Sequence, residues 1–213
     1  MKQIRRTFLA VVTAGAILTT SQSQAEPMGG QVFYRYGFNM LANDRGGQVF
    51  TDTLGTSGKN DGKGGWNIGA GLDLPLAKDL GPGVLLGEVM ATYARFSKKS
   101  VLQTTSHLVG GSNKSKVAIS QLQVVIAPKY QLSFMEGKLR PWIIPAGLGF
   151  LVNSPPSDDT NYLDIGLHLG AGVEYMICSL LSVGVDYRHT FAAKEPGLDM
   201  SGGQLDLYVG VNF

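Results

Sequence analysis

Charged side chains recur inside segments that are otherwise apolar, at Arg35, Asp73, Glu88, Lys129, His168, Glu174, Asp186, Arg188 and Asp206. Carboxylates near an imidazole can run general acid–base chemistry or pass protons. Turned into a confined space, the same set can instead neutralise itself, because an uncompensated ion in a low-dielectric interior is costly. The second reading is favoured, with Arg35 and Arg188 as hubs, since a guanidinium fork can serve two carboxylates. A separate candidate is His189, which could activate a nucleophile. Two residues on stands Phe191 rather than serine, and the adjacent Thr190 alternates to the other face of a strand. No catalytic residue is therefore assigned, and an enzyme is not expected.

These residues need elements that alternate. Eight segments do so with a period of two. From Gln31 to Met40, Val32, Tyr34, Tyr36, Phe38 and Met40 oppose Phe33, Arg35, Gly37 and Asn39. From Gly65 to Leu74, Trp66, Ile68, Ala70, Leu72 and Leu74 oppose Asn67, Gly69, Gly71 and Asp73. Val84 to Phe96 is less regular, with Glu88 and Thr92 on the polar side but Leu86 and Met90 beside them. Lys116 to Leu132 sets Leu122, Val124, Ile126, Pro128 and Tyr130 against Gln121, Gln123 and Lys129, and Pro128 is expected near a strand end. Leu139 to Val152 reads with Trp142, Ile144, Ala146, Leu148, Phe150 and Val152 on the apolar face. Segments around Ile165 to Tyr175, Leu181 to Phe191 and Leu205 to Phe213 complete the set.

The gaps between segments alternate long and short, from 41–64 and 75–83 through 97–115, 133–138, 153–162 and 178–180 to 192–203. Barrels that cross an outer membrane have short periplasmic turns and longer extracellular loops. The expected architecture is thus an all-β, eight-stranded antiparallel up-and-down transmembrane barrel, monomeric, with both termini in the periplasm. Lys2, Arg5 and Arg6, the apolar run Phe8 to Leu18 and the small-residue site Ser23-Gln24-Ala25 read as a secretion leader, residues 1–25, leaving 26–213 as the barrel. The apolar run is too short for a spanning helix. Removing the leader leaves 15 Lys plus Arg against 16 Asp plus Glu, one negative charge in place of the +2 of the whole chain. That balance opposes a nucleic-acid partner.

Alternation does not say which face points inward, and a soluble lipocalin-like barrel would have the apolar set inside. The glycine-rich polar face suits a narrow lumen, and aromatic residues near strand ends suit the membrane interfaces. Trp66, Tyr93, Tyr130, Trp142, Tyr175 and Tyr187 are the expected girdles. Terminal Phe213 is the expected signal to the barrel assembly machinery. An eight-stranded barrel is just wide enough for side chains to fill, which argues against a wide pore. Arg95, Lys98, Lys99, Lys114 and Lys116 flank one long gap, and Arg45, Lys59 and Lys63 lie in another; they are candidates for lipopolysaccharide phosphates. Asp158 and Asp159 read as a solvated turn rather than a calcium site, His107 as a loop residue, and the single cysteine, Cys178, as a free thiol. No phosphate loop, dinucleotide fingerprint or zinc motif is present, so neither cofactor nor metal is expected.

From Arg140 to Phe213 the stretches RPWIIPAGLGFLV, LGAGVEY and VGVDYRHTF resemble small outer-membrane barrels of the OmpA/OmpX-like type and, more narrowly, the PagL-like lipid A deacylases. His189 followed by Glu195-Pro196-Gly197-Leu198-Asp199 is similar to the deacylase stretch in which a His-x-Ser pair precedes Asn-Pro-Gly. The resemblance implies the barrel fold and an outer-membrane role that is structural or surface-interacting. Lipid A acyl hydrolysis, or a small-solute channel of the OmpW type, are the alternatives it carries.

Overall fold

The computed structural model describes residues 29–41, 64–102, 114–154, 163–192 and 201–213. Eight strands follow in chain order: β1 (Gln31–Leu41), β2 (Gly64–Leu80), β3 (Gly83–Leu102), β4 (Lys114–Leu132), β5 (Leu139–Ser154), β6 (Leu163–Met176), β7 (Leu181–Ala192) and β8 (Gly202–Asn212). Each pairs antiparallel with the next, and β1 pairs back to β8, so the sheet closes. At the seam the Gly30 N–H donates to the Phe213 carbonyl at 3.2 Å and the Phe213 N–H donates to the Gly30 carbonyl at 2.9 Å. The Phe213 ring covers Gly30, where an added Cβ would meet it at 2.6 Å. Within the closed wall each strand has a hydrogen-bonded neighbour on both sides, as hydrocarbon surroundings demand.

The polar face is inside. On β1, Tyr34, Tyr36, Phe38 and Met40 are exposed on the barrel exterior while Phe33, Arg35 and Asn39 are buried; on β8, Leu205, Leu207 and Val209 are exposed while Asp206 and Tyr208 are buried. Leu86 and Met90 of β3 do point inward, where Met90 joins Phe33, Val125, Ala127, Trp142, Ile144 and Tyr208 in an apolar cluster.

The fifth strand departs from the expected phase. Trp142 and Ile144 are buried in the lumen, at 4% and 1% exposure, and Ile143 faces out at 50%. The reason is a bulge: pairing with β4 slips between Ile126 and Tyr130, and pairing with β6 slips between Ile144 and Gly147. One extra residue reverses the in–out order along the bulged strand, so Leu148 is outward but Trp142 is not, and Trp142 leaves the expected girdle. Pro128 lies within this irregularity of the β4–β5 ladder, the kind of place where a residue without an N–H is tolerated.

The connection expected at 75–83 is also shorter than its sequence suggests. Two register shifts, at Pro75/Ala77 and Ala77/Leu80, spoil the alternation without ending the pairing, so only Gly81 and Pro82 remain as the turn. Gly81 has φ of +69°, a conformation that favours glycine. A further shift between Arg95 and Lys98 lets β3 and β4 continue as a ribbon to the pair Leu102 and Lys114. The three turns after β2, β4 and β6 share one end with the termini; the long connections join the other end.

Candidate functional site

The lumen is where the ionisable residues converge, and the ladder explains why they need one another. Asp73 stands directly opposite Glu88 in the β2–β3 ladder, and Asp186 directly opposite Asp206 in the β7–β8 ladder. Like charges in facing positions repel. A cation is inserted against each pair. Lys129 Nζ lies 2.7 Å from Asp73 and 3.4 Å from Glu88. Arg35 Nη2 binds Asp186 at 2.7 Å and also binds Asp206. Arg188 joins the two halves: it grips Glu88 with both terminal nitrogens, one at 3.0 Å, and its Nε lies 3.3 Å from Asp186. The chain of contacts therefore runs Asp206, Arg35, Asp186, Arg188, Glu88, Lys129, Asp73, crossing the barrel from β8 to β2.

Aromatic rings wedge this network. Trp142 lies 4.4 Å from Lys129 Nζ and 4.8 Å from the Arg188 guanidinium carbon, and Phe33 lies 5.3 and 5.9 Å from the same groups, within cation–π range. Room for the rings comes from glycines on neighbouring strands. An added Cβ at Gly71 would collide with the Phe33 ring, one at Gly184 with Tyr208, and one at Gly172 with Trp142.

Toward the termini, Glu174 belongs to a separate cluster. It accepts from Gln31 Nε2 at 2.9 Å and from the Tyr208 hydroxyl at 3.3 Å, with Arg140 at 3.6 Å. The Tyr208 oxygen accepts in turn from Trp142 Nε1 at 2.9 Å. Toward the loops, His168 also stands apart from the ion pairs: its Nδ1 is 2.8 Å from Thr190 Oγ1, which accepts from Gln123 Nε2 at 2.6 Å, and Gln123 Oε1 accepts from Gln204 at 2.7 Å. Leu41, Ala94, Phe96, Leu151 and Ala192 form an apolar layer at this end. The space between them and the amide layer is about 10 Å³, no more than one water needs.

Outside the barrel, His189 is half-exposed between two aromatic rings. The Tyr187 hydroxyl is 3.4 Å from its Nδ1 and the Phe191 ring centroid is 4.3 Å away. Thr190 points into the lumen, occupied by His168 and Gln123. Arg95 is exposed on the outer face. Lys98, Lys99, Lys114 and Lys116 lie on the ribbon, with backbone pairs Lys98–Ala118, Lys99–Val117, Ser100–Lys116 and Leu102–Lys114. Arg45, Lys59, Lys63, His107, Asp158, Asp159, the stretch Glu195 to Asp199 and the leader lie outside the described residues. Among the described residues no group of three His, Cys, Asp or Glu is placed to hold a metal ion. Cys178, in the turn after β6, is exposed and free.

Sequence reading turned Phe33, Gln123, Thr190 and Tyr208 to the polar face without finding their contacts, and missed Gln31 and Gln204 as hydrogen-bonding partners, Arg140 as an ion-pair partner of Glu174 and Trp142 as lumen packing. A signal existed in the pairing of inward aromatics with inward glycines, Phe33 with Gly71 and Tyr208 with Gly184. It becomes visible only when the register is known.

A closed antiparallel barrel with an apolar exterior and a salt-bridged interior is the geometry of a membrane-spanning β-protein. The sequence model of the outer membrane protein beta-barrel domain family matches residues 8–213. The chain belongs to this family. No curated protein sequence matches it. Among solved structures, this outer-membrane barrel is similar to Neisserial surface protein A, at 13% identity and a TM-score of 0.54 over 87% of this chain and 97% of that one. It is also similar to the outer membrane enzyme PagL, at 17% identity and 0.50 over 86% and 99%, and to OprG from Pseudomonas aeruginosa, at 14% identity and 0.48 over 87% and 94%. At these identities the likeness concerns the fold, and that fold serves an enzyme as well as a surface protein.

Proposed function

We propose that this outer-membrane barrel is a monomeric structural or surface-interaction protein whose lumen is closed to solutes by its own charge network. The observation that supports this reading most is the occupied interior: Arg35, Lys129 and Arg188 are each inserted between carboxylates, aromatic rings lie beside Lys129 and Arg188, and a pocket under the apolar layer holds only about 10 Å³. Residues 1–25 act as the export leader. Phe213 is read by the barrel assembly machinery. Both termini face the periplasm and the long connections face outward, in keeping with the usual asymmetry of loop length. In that orientation Arg95, Lys98, Lys99, Lys114 and Lys116 meet lipopolysaccharide phosphates, with lipid as the surrounding partner and no nucleic acid involved. An acyl-hydrolase role draws no support from His189, because the neighbouring hydroxyl of Thr190 is turned inward and bonded.

Swelling of vesicles that contain the refolded protein, in an isotonic small neutral sugar, tests the proposal. Vesicles as tight as protein-free controls are expected. Swelling that tracks the amount of folded barrel would overturn the closed reading in favour of a channel.

A further inference from the structure

The central ion pairs of the lumen do not balance. Three cations, Arg35, Lys129 and Arg188, stand among four carboxylates, Asp73, Glu88, Asp186 and Asp206, and the chain of contacts begins and ends on an aspartate. All seven side chains are at most 1% exposed. The remaining cation at the lumen wall among the described residues, Arg140, is matched by Glu174 at 3.6 Å. One negative charge is left over in an interior where an unmatched ion is strongly unfavourable.

The surplus is localised. Glu88 takes both terminal nitrogens of Arg188, and Asp73 takes Lys129 at 2.7 Å. Asp186 and Asp206 face one another in the β7–β8 ladder and share Arg35 through a single nitrogen. Arg35 Nη2 donates to both, Nη1 is directed at the Met90 sulfur, and Nε makes no hydrogen bond. Arg188 Nε, 3.3 Å from Asp186, makes none either, and Asp186 Oδ2 and Asp206 Oδ1 accept none. The other neighbours bring no positive charge. Gly37 of β1 faces Asp206, and a Cβ there would collide with Oδ1; Gly172 of β6 faces Asp186, with Trp142 of β5 beside it. Asn67 of β2 lies against Asp206, and Tyr208 of β8 is engaged with Glu174. Glu88 of β3 stands behind Arg188.

From the charge count and this pair sharing one arginine, we infer that Asp186 and Asp206 hold one proton between them at neutral pH, one as carboxylic acid and the other as carboxylate. The proton comes from water on folding and belongs to the pair rather than to either residue. It makes the central network neutral, and its departure leaves two facing carboxylates on one guanidinium. The inference rests on the closed lumen proposed above, since an open one admits a counter-ion. The folded protein then carries one proton more than the unfolded chain, so stability falls as pH rises. Above the ordinary aspartate range, between about pH 5 and pH 7, the folding equilibrium loses about tenfold per pH unit from this pair.

The test is the infrared spectrum of the barrel refolded in lipid vesicles at neutral pH, where a protonated carboxyl absorbs above the amide band and shifts in heavy water. The parent is expected to show one such band. Asp206→Asn and Asp186→Asn are each expected to lose it, and Glu174→Gln to keep it. Urea unfolding adds a second readout. Asp206→Asn, which mimics the neutral acid, is expected to keep the parent's midpoint at neutral pH, and the ratio of parent to variant folding constants is expected to fall about tenfold per pH unit. Asp73→Asn deprives Lys129 of its near partner and is expected to lower the midpoint. A parent without the band in vesicles that stay tight to a small sugar would overturn the inference and leave the lumen closed. Swelling of those vesicles would overturn the closed reading and the inference with it. A band that survives both aspartate variants, or stability that follows potassium concentration with no band present, would also overturn the shared proton.

Discussion

Arg188→Met isolates the joint on which the lumen network depends. Arg188 is 1% exposed, holds both oxygens of Glu88 and reaches Asp186 at 3.3 Å. Without it, Glu88 keeps only Lys129 at 3.4 Å, and Lys129 is already committed to Asp73. Removing one partner of a buried ion pair costs about 3–5 kcal/mol, because the abandoned charge stays desolvated. Methionine refills much of the stem volume, so lost packing adds little. With an m-value of about 2 kcal/mol per molar, the urea midpoint is expected to fall by about 2 M. The double variant Arg188→Met/Glu88→Gln removes the stranded charge as well, and is expected to regain about 2 kcal/mol relative to additivity. The assay is equilibrium unfolding from lipid vesicles followed by fluorescence of Trp142, whose ring lies 4.8 Å from the Arg188 guanidinium carbon. A single variant within about 0.5 kcal/mol of the parent, or strictly additive double-variant values, would refute the reasoning.

Other outcomes follow from the same geometry. Gly184→Val drives a side chain into the buried Tyr208 ring and is expected to cost about 1–3 kcal/mol by overpacking; Gly87→Ala, which meets only the movable end of Leu76 at 3.2 Å, is expected to stay within about 0.5 kcal/mol, both read by urea unfolding. Single-tryptophan proteins in brominated lipid should separate the two faces: Trp66, at 41% exposure, is expected to be quenched, and Trp142, at 4%, to be protected. Replacing Arg95, Lys98, Lys99, Lys114 and Lys116 with serine is expected to weaken lipopolysaccharide binding and flatten its dependence on salt, measured in detergent over a range of ionic strength. The mass spectrum of lipid A incubated with parent or His189→Ala protein is expected to be unchanged in both; loss of an acyl chain with the parent alone would revive the hydrolase.

The strands were legible where a clean period of two meets a closed sheet: β1, β6, β7 and β8 face as their alternation implies. Trp142 shows why β5 was not. A bulge changes parity without changing composition, and the two slips around Ile144 and Gly147 are properties of the pairing partners. The same limit hid the true ends of β2 and β3, where the ladder continues through residues that no longer alternate. For the lumen, the sequence identified which residues turn inward but not which ones meet. That Asp73 faces Glu88 and Asp186 faces Asp206 follows from register, and register determines where a cation must stand. His168 and Glu174 illustrate the gap. Both are inward and charged or chargeable, yet each sits a layer away from the central chain of ion pairs, His168 against the Thr190 hydroxyl and Glu174 among Gln31, Tyr208 and Arg140.

The most direct measurement is ionic current through the refolded barrel in a planar bilayer, parent beside Arg188→Met/Glu88→Gln, with folding verified by gel shift. A filled and charge-paired lumen predicts no discrete openings in the parent at moderate voltage and neutral pH. Long-lived, uniform conductance steps from the parent protein would contradict a closed interior.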